Sequence, residues 1–336
     1  MIGKLPLDLL KKYIFNRTGV QDNSVIIGPS YGEDAAIIDL GNDKVLVVHV
    51  DPITGAIEWL GWLAVHIACN DIAVRGVKPR WLLPVLYLPE DTTENLIDRI
   101  TIQIDTAAKE VKVTIVGGHS EFTPDLSRPL ISMTAIGVTR KGEYVITSGA
   151  KPGDYIIMTK SVAIEGTAIL ATDFREILKK KGVPDTLINR GASFLKRISV
   201  VPEALTLAEI GVNAMHDPTE GGLLGGLAEM AYASNVQIEV WEDKVPIAEE
   251  TKVFCKELDI DPLKLISSGV LIASISEEKL KIALDKVKAL GIPISVIGMA
   301  KKGLGLLVHR SNGSIEHIGR SVSDELYTLW EKYEKE

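Results

Sequence analysis

Cysteine is scarce in this sequence, which contains only Cys69 and Cys255 among its 336 residues. Neither has a second cysteine at CxxC spacing, and this excludes a cysteine-rich zinc site. Two isolated cysteines imply no disulfide framework, as is typical of proteins in a reducing compartment. We therefore expect a cytoplasmic protein in which Cys69, within an apolar run, is a small buried residue.

Long charge-free apolar runs and an excess of basic residues are also absent. No segment is apolar over the length that a membrane helix needs, and charges interrupt the first fifteen positions, so no signal peptide is visible. The formal net charge is -8, whereas a general nucleic-acid-binding protein would carry a basic surface. We expect neither a membrane nor a nucleic acid as a partner.

Aromatic residues are few, at 5% of the chain against 46% hydrophobic residues overall, so the core must consist mainly of Ile, Leu, Val and Ala. Buried-strand patterns, such as residues 44–51, alternate with helical patterns, such as the apolar segment 61–76. This alternation predicts an α/β or α+β fold. A turn at 152–154 (PGD) indicates a domain boundary, with an N-terminal domain over residues 1–150 and a C-terminal α/β domain over residues 151–336. A short strand is predicted at 144–147.

The common nucleotide fingerprints are missing as well. The sequence has no GxxxxGK[ST] motif and no GxGxxG motif after a strand, so a nucleotide site would need other parts. Acidic or polar residues nevertheless occur beside glycine turns, at strand ends or inside an apolar helix in five places. These are 32–36 (GEDAA), Asp51, 70–71 (ND), 117–121 (GGHSE) and 216–222 (HDPTEGG).

Each of these places alone has an ordinary structural interpretation. Asp51 could cap a strand, Asp217 could cap a helix, and the pair at 70–71 could contact Arg75; His49 is expected to pack within its strand. Together, however, clustered carboxylates suit Mg²⁺, and glycine turns expose backbone N–H groups. A helix beginning at Gly222 would present its positive end to a phosphate. The combination favours a Mg²⁺–nucleotide site over a purely structural account.

Four segments in the same order resemble the AIR synthase-related (PurM-like) superfamily: 32–36 (GEDAA), 70–79 (NDIAVRGVKP), 117–120 (GGHS) and 217–222 (DPTEGG). This superfamily includes AIR synthase, thiamine-monophosphate kinase, selenophosphate synthetase and the hydrogenase-maturation protein HypE. The last segment, with 258–263 (LDIDPL) downstream, is most similar to HypE. The resemblance implies a PurM-like two-domain fold, in which an N-terminal ATP-binding sheet domain forms a homodimer and a C-terminal α/β domain faces the ATP.

The resemblance also implies a set of site residues. ATP would be bound by Asp34, Asp51, Asn70, Asp71, Gly117, Gly118, Asp217, Gly221 and Gly222. Mg²⁺ would be held by Asp34, Asp51, Asp71 and Glu121. His119 and Glu220 are candidates for the catalytic acid or base. The shared chemistry is ATP-driven activation of an amide or carbamoyl-type oxygen, or phosphoryl transfer, on a small-molecule substrate or a maturation partner protein.

The chain departs from the HypE pattern at its end, where 332–336 reads KYEKE and lacks the cysteine tail of HypE. Glu220 also stands where HypE tends to have arginine. We therefore expect the ATP site of the family without the HypE acceptor. Three hypotheses remain: an ATP-dependent enzyme with a separate acceptor, a HypE role with the cysteine supplied elsewhere, or a nucleotide-binding regulatory or scaffold protein without turnover.

Overall fold

The computed structural model describes residues 5–54 and 58–333. Its internal contacts divide the chain into two compact units, which are described separately. The first, called the N-terminal unit, consists of Asp22–Gly28 and Asp34–Tyr144. The second, called the C-terminal unit, consists of Met1–Gln21, Pro29–Glu33 and Val145–Glu336. No helix in the described part of the chain is long and apolar enough to cross a membrane.

The N-terminal unit is a mixed sheet covered by two helices. Its strands are β1 (Val25–Ile27), β2 (Ala36–Gly41), β3 (Lys44–Ile53), β4 (Pro79–Leu88), β5 (Thr114–Ile115), β6 (His119–Phe122) and β7 (Leu130–Arg140). They lie in the order β1-β2-β3-β7-β4-β5, and β6 pairs with β4. In β3 the side chains of Val45 and Val47 are fully buried, while Val50 on the other face is 54% exposed, as the two-residue repeat of a strand requires.

Two helices of this unit differ in burial because they occupy different layers. The helix α2 (Leu60–Ala73) has every residue buried except Trp62. It contacts β3, β7 and the other helix of this unit. The second, α3 (Glu94–Val111), buries only the stripe formed by Ile100, Ile104, Ala107 and Ala108. The short helix α1 (Leu7–Leu9), continued by a π-helical turn (Leu10–Ile14), precedes them in the chain but belongs to the C-terminal unit. The helix α2 therefore forms the centre of this core.

The C-terminal unit contains a second seven-stranded sheet, in the order β14-β13-β10-β12-β8-β11-β9. Its strands are β8 (Tyr155–Thr159), β9 (Ala214–His216), β10 (Gln237–Trp241), β11 (Ile272–Ile275), β12 (Ile294–Lys301), β13 (Gly305–His309) and β14 (Ile315–Ile318). Its helices are α4 (Ile164–Asp173), α5 (Arg175–Lys180), α6 (Asp185–Ala192), α7 (Val201–Ile210), α8 (Gly222–Ala233), α9 (Glu249–Leu258), α10 (Glu277–Ala289) and α11 (Glu325–Tyr333). The expected α/β class is confirmed by these two sheets and their helices.

The strand predicted at 144–147 is wrong. Ile146 has an extended backbone (φ −118°, ψ 157°), but Thr147–Gly149 forms a 3-10 turn. The carboxylate of Glu33 accepts hydrogen bonds from the backbone N–H groups of Thr147 and Ser148, each at 3.1 Å. This side chain satisfies donors that a neighbouring strand would otherwise have to satisfy.

Candidate active site

A histidine and two carboxylates meet inside the N-terminal unit. His49 and Asp51 lie on β3, on the same side of the strand as the buried Val45 and Val47, because alternate residues share a face. Asp71 lies on α2, which packs against that face. Ligand atoms of His49, Asp51 and Asp71 all lie within 4.8 Å of one another, and His49 Nε2 is 3.4 Å from Asp71 Oδ2.

The setting of this cluster is apolar on the helix side. Asp71 is 5% exposed and its neighbour Asn70 is fully buried, within a helix that is otherwise almost entirely hydrophobic. Buried carboxylates are costly unless positive charge or hydrogen-bond donors compensate them. Two carboxylates and an imidazole within this separation can bind a cation, so the cluster is a candidate metal centre.

Asp34 lies in a different local arrangement within the same unit. Its Oδ2 is 2.9 Å from Nη2 of Arg75, whose side chain is fully buried just beyond the end of α2. A buried arginine needs such a partner because its charge cannot be neutralised by proton loss. Asp34 therefore has a structural role as the partner of Arg75, in addition to the ATP and Mg²⁺ contacts expected from the resemblance.

The segment at 117–121 ends in a strand rather than in a loop. Residues His119–Phe122 form β6, which runs parallel to β4. His119 Nε2 is 3.1 Å from Glu121 Oε2, and both side chains are exposed. Thr123 also donates a hydrogen bond to Glu121 at 3.2 Å. Glu121 is thus paired with its strand neighbours, and it is not part of the cluster formed by His49, Asp51 and Asp71.

Gly118 is required by packing, whereas Gly117 is not. Gly118 has a φ of +148°, and a Cβ atom there would lie 2.3 Å from the carbonyl oxygen of Pro84. A Cβ atom at Gly117 would meet nothing closer than Leu83, at 3.8 Å. The close approach of two backbones therefore explains the second glycine of this pair.

We expect Gly118→Ala to lower the free energy of unfolding by more than about 2 kcal/mol, because both the backbone conformation and the contact with Pro84 forbid a side chain. Gly117→Ala is the matched control and should change it by less than about 1 kcal/mol. Urea denaturation followed by circular dichroism measures both. Equal effects of the two substitutions would contradict this account of Gly118.

The second group of expected site residues lies in the C-terminal unit. The strand β9 ends at His216, and α8 begins at Gly222. Asp217 is 1% exposed, and His216 Nε2 is 2.8 Å from Glu229 Oε2. Gly221 and Gly222 have φ angles of +78° and +63°, which glycine adopts without strain. This turn therefore holds Asp217 in a buried and geometrically defined position.

The N-terminus of α8, expected to receive a phosphate, already has a carboxylate beside it. Asp324 Oδ2 accepts a hydrogen bond from the backbone N–H of Gly221 at 2.7 Å, and Asp324 Oδ1 accepts one from Leu326 at 2.9 Å. Burial raises the pKa of the Asp324 carboxyl to about 7.

Tyr327 donates a hydrogen bond to Glu220. Burial, followed by this contact, raises the pKa of the Tyr327 hydroxyl.

Two residues of the candidate site, His49 and Asp324, were not predicted from the sequence. His49 was expected to pack within its strand, although it precedes Asp51 by two positions and a strand places such residues on one face. Asp324 lies far along the chain from Gly221, and no local pattern marks it as the partner of that turn. The first was within reach of sequence analysis, whereas the second depends on tertiary structure.

The two halves of the chain match models of one family. Residues 32–139 match the N-terminal domain of AIR synthase related protein, and residues 151–309 match its C-terminal domain. The chain belongs to the AIR synthase-related family. A putative hydrogenase expression/formation protein of Methanocaldococcus jannaschii is 31% identical over 311 residues, which are 89% of this chain and 89% of that protein.

Proteins that carry the HypE name are also similar to this AIR synthase-related protein. Carbamoyl dehydratase HypE of Rhizobium leguminosarum bv. viciae is 29% identical over 71% of this chain and 67% of its own length. A crystal structure of hydrogenase maturation protein HypE in complex with ATP has a TM-score of 0.73 and 26% identity, covering 88% of this chain and 90% of that one. The expected superfamily, its two-domain fold and the likeness to HypE are thereby confirmed.

Proposed function

We propose that this AIR synthase-related protein is a Mg²⁺–ATP-dependent enzyme that acts in a HypE-like maturation context. The observation that carries the proposal is the cluster of His49, Asp51 and Asp71, built into the unit that matches the N-terminal domain of the family. The likeness to HypE in complex with ATP supports the choice of nucleotide. In this proposal residues 1–150 form the ATP-binding and dimerising domain, and residues 151–336 form the C-terminal domain.

The donor set of the cluster fits a divalent cation. Asp51 and Asp71 supply carboxylate oxygens, which Mg²⁺ prefers, and Mg²⁺ keeps other positions for water and phosphate oxygens. His49, 3.4 Å from Asp71 Oδ2, would orient that carboxylate. The ion would neutralise charge on the transferring phosphoryl group. Asn70, Asp34, Gly117 and Gly118 are the further ATP contacts that we propose in this unit.

The C-terminal unit contributes Asp217, Gly221 and Gly222 to the proposed ATP contacts. Glu220 is the candidate acid or base there, and its hydrogen bond from Tyr327 fixes the orientation of its carboxyl group. His119 and Glu121 remain candidates for proton transfer and metal binding in the N-terminal unit. A fixed acid–base group next to a glycine turn is consistent with activation of an amide or carbamoyl-type oxygen by phosphoryl transfer.

The acceptor in this proposal is separate from the cysteines of the chain. Cys69 is fully buried and Cys255 is 2% exposed, and burial raises the pKa of both thiols. A buried thiol with a raised pKa is a poor nucleophile because the thiolate is the reactive form. We therefore propose that the accepting group belongs to a small molecule or to a maturation partner protein.

We expect Asp71→Asn to weaken Mg²⁺–ATP binding by at least about tenfold, because it removes one charge from the proposed metal centre while keeping the side-chain shape. Isothermal titration measures binding, and phosphate release is followed on the same samples. Asp98→Asn, which alters an exposed aspartate of α3, is the matched control and should bind ATP like the wild type.

The outcomes of that titration separate the hypotheses. Binding with phosphate release in the presence of a carbamoylated or amide-bearing acceptor supports an enzyme. Binding without release under any of these conditions supports the regulatory or scaffold protein. Absence of Mg²⁺–ATP binding to the wild type, with a cooperative thermal transition retained, would overturn the proposal.

A homodimer is supported by the outer face of the first sheet. Val48 and Val50 on β3 lie opposite Ile136 and Thr134 on β7, on the face turned away from His49 and Asp51. Val50 is 54% exposed, and α2 packs on the other face. Val48 and Ile136 beside Val50 are half-buried, and an apolar sheet face that is partly open to solvent is typical of a protein interface. We propose that a second copy of the chain covers this face.

We expect Val50→Asp to raise the dimer dissociation constant by about a hundredfold, because a two-fold symmetric interface would bury the new charge from both copies. Sedimentation equilibrium measures the constant. Ile102→Asp is the matched control, since Ile102 is 55% exposed on α3. A wild type that is monomeric at all concentrations, or equal effects of the two substitutions, would reject this interface.

A further inference from the structure

The C-terminal unit contains a cavity of about 650 Å³ beyond the end of β8. Its walls come from four separate segments: 160–161 after β8, 196–199 before α7, 245–252 around the start of α9, and 291–293 before β12. Small-molecule sites commonly have volumes of about 300–1,000 Å³. The cavity is therefore large enough for a ligand of ordinary metabolite size.

The first wall of the cavity is held in a defined and unusual conformation. Lys160 and Ala163 have φ angles of +58° and +57°, a region that residues other than glycine rarely adopt. The N–H of Lys160 donates to the carbonyl oxygen of Pro293 at 2.7 Å, and the N–H of Val162 donates to Pro246 at 3.0 Å. Backbone strain of this kind persists where surrounding contacts fix it, and it is common at binding sites.

The charges around the cavity favour an anion. Lys196, Arg197 and Lys252 line it, and both lysines are exposed. Lys160 also lines it, but its Nζ is 2.7 Å from the buried carboxylate of Glu203, so this pair is close to neutral. Three cationic side chains therefore remain to attract a negative ligand.

Carboxylates near this basic wall have other cationic partners. Glu250 attracts Arg197, but its carboxylate also accepts a hydrogen bond from Arg190 Nε at 2.6 Å. Lys160 Nζ donates to the carbonyl oxygens of Ser199 and Gly269, which hold it in place beside Glu203. Arg190 also donates to Glu249, so Arg197 offsets part of the charge of the Glu249 and Glu250 carboxylates, and Lys196 and Lys252 supply the net positive charge of the cavity.

The remaining walls are apolar apart from Ser161 and Ser199, and the hydroxyl of Ser199 accepts a hydrogen bond from the N–H of Val201. The apolar residues are Val245, Pro246, Ile247, Ala248, Ile292 and Pro293. Ser161 lines the cavity too, and its buried hydroxyl oxygen has no hydrogen-bond partner within the described ranges 5–54 and 58–333. Buried polar groups normally have partners, so an unsatisfied hydroxyl in a cavity wall indicates a position for a polar ligand atom.

We propose that this cavity binds a small organic anion, with an apolar ring or chain against the proline-rich wall and a phosphate or carboxylate group near Lys196, Arg197 and Lys252. Arginine and lysine side chains bind both kinds of anion through charge-assisted hydrogen bonds. The hydroxyl of Ser161 would donate a further hydrogen bond. The site lies wholly in the C-terminal unit and uses none of the residues proposed to bind ATP.

Isothermal titration with phenyl phosphate and benzoate tests the proposal on the intact chain, with inorganic phosphate and phenol as probes that lack one of the two features. We expect saturable binding of phenyl phosphate or benzoate at one site per chain, and at least about tenfold weaker binding of inorganic phosphate and phenol. The stronger of the two organic anions identifies the preferred charged group. Asp71→Asn should bind it as the wild type does.

A charge-removing variant with a matched control tests the location of the site. Arg197→Gln/Lys252→Gln should weaken binding of the organic anion by at least about tenfold. Lys256→Gln removes the same charge one turn along α9, at an exposed position that does not line the cavity, and should leave binding unchanged. Absence of saturable binding to the wild type, or full affinity in the double variant, would overturn the proposal.

Discussion

Arg75→Met is expected to lower the free energy of unfolding by about 3–5 kcal/mol, because it leaves the carboxylate of Asp34 without its buried cation. The Arg75 side chain is fully buried, and that of Asp34 is 11% exposed, with 2.9 Å between Nη2 and Oδ2. Methionine fills part of the same volume, so lost packing contributes less than the lost charge. Urea denaturation monitored by circular dichroism measures the change.

Arg99→Met on α3 is the control for this substitution, since Arg99 is exposed and its replacement should cost less than about 0.5 kcal/mol. Adding Asp34→Asn to Arg75→Met should recover part of the loss, because the carboxylate is then neutral. A loss below about 1 kcal/mol in Arg75→Met would contradict a stabilising role for the pair. The stability of Asp34 variants must therefore be measured before any loss of ATP binding is interpreted.

Patterns with a strict period predicted the elements that surround the candidate site. The apolar segment 61–76 corresponds to α2 (Leu60–Ala73), and the predicted strand at 44–51 corresponds to β3 (Lys44–Ile53). Both were predictable because burial of one or both faces of an element determines the pattern of hydrophobic residues in its sequence. The segment at 144–147 forms no strand, because Ile146 is extended but Thr147 begins a 3-10 turn. Glu33, remote in sequence, supplies the hydrogen bonds that end it, and a local pattern does not record such a partner.

The candidate site shows the same division between local and tertiary information. Asp34, Asp51 and Asp71 were all expected as Mg²⁺ ligands, and the structure brings Asp51 and Asp71 together with His49 in the candidate site. Their proximity follows from one strand packing on one helix, which the apolar patterns of both elements imply. Glu121 was expected as a further ligand from the family resemblance, and its side chain contacts His119 on β6 and Thr123 just after that strand. The order of the motifs along the chain does not show which of these carboxylates lie within ligand distance of one another.

Asp324 is expected to make the protein less stable as the pH rises from about 4 to about 7. The side chain is 4% exposed, and burial raises the pKa of its carboxyl from 3.8 to about 7. Between these values the folded state retains a proton that the unfolded state has released. The free energy of unfolding therefore falls with rising pH, and the contribution of this group is fully lost above about pH 7.

Asp324→Asn removes this titration while keeping the side-chain shape, so the variant should gain stability relative to the wild type as the pH rises. Two pH units below the folded pKa correspond to about 3 kcal/mol, which we expect as the relative gain between about pH 5 and about pH 8. Urea denaturation at several pH values measures it. Asp285→Asn alters an exposed residue of α10 and should show a pH-independent difference. If Asp324→Asn behaves in the same way, the carboxylate at the N-terminus of α8 is ionised throughout this range, and its hydrogen bonds from Gly221 and Leu326 outweigh the cost of burial.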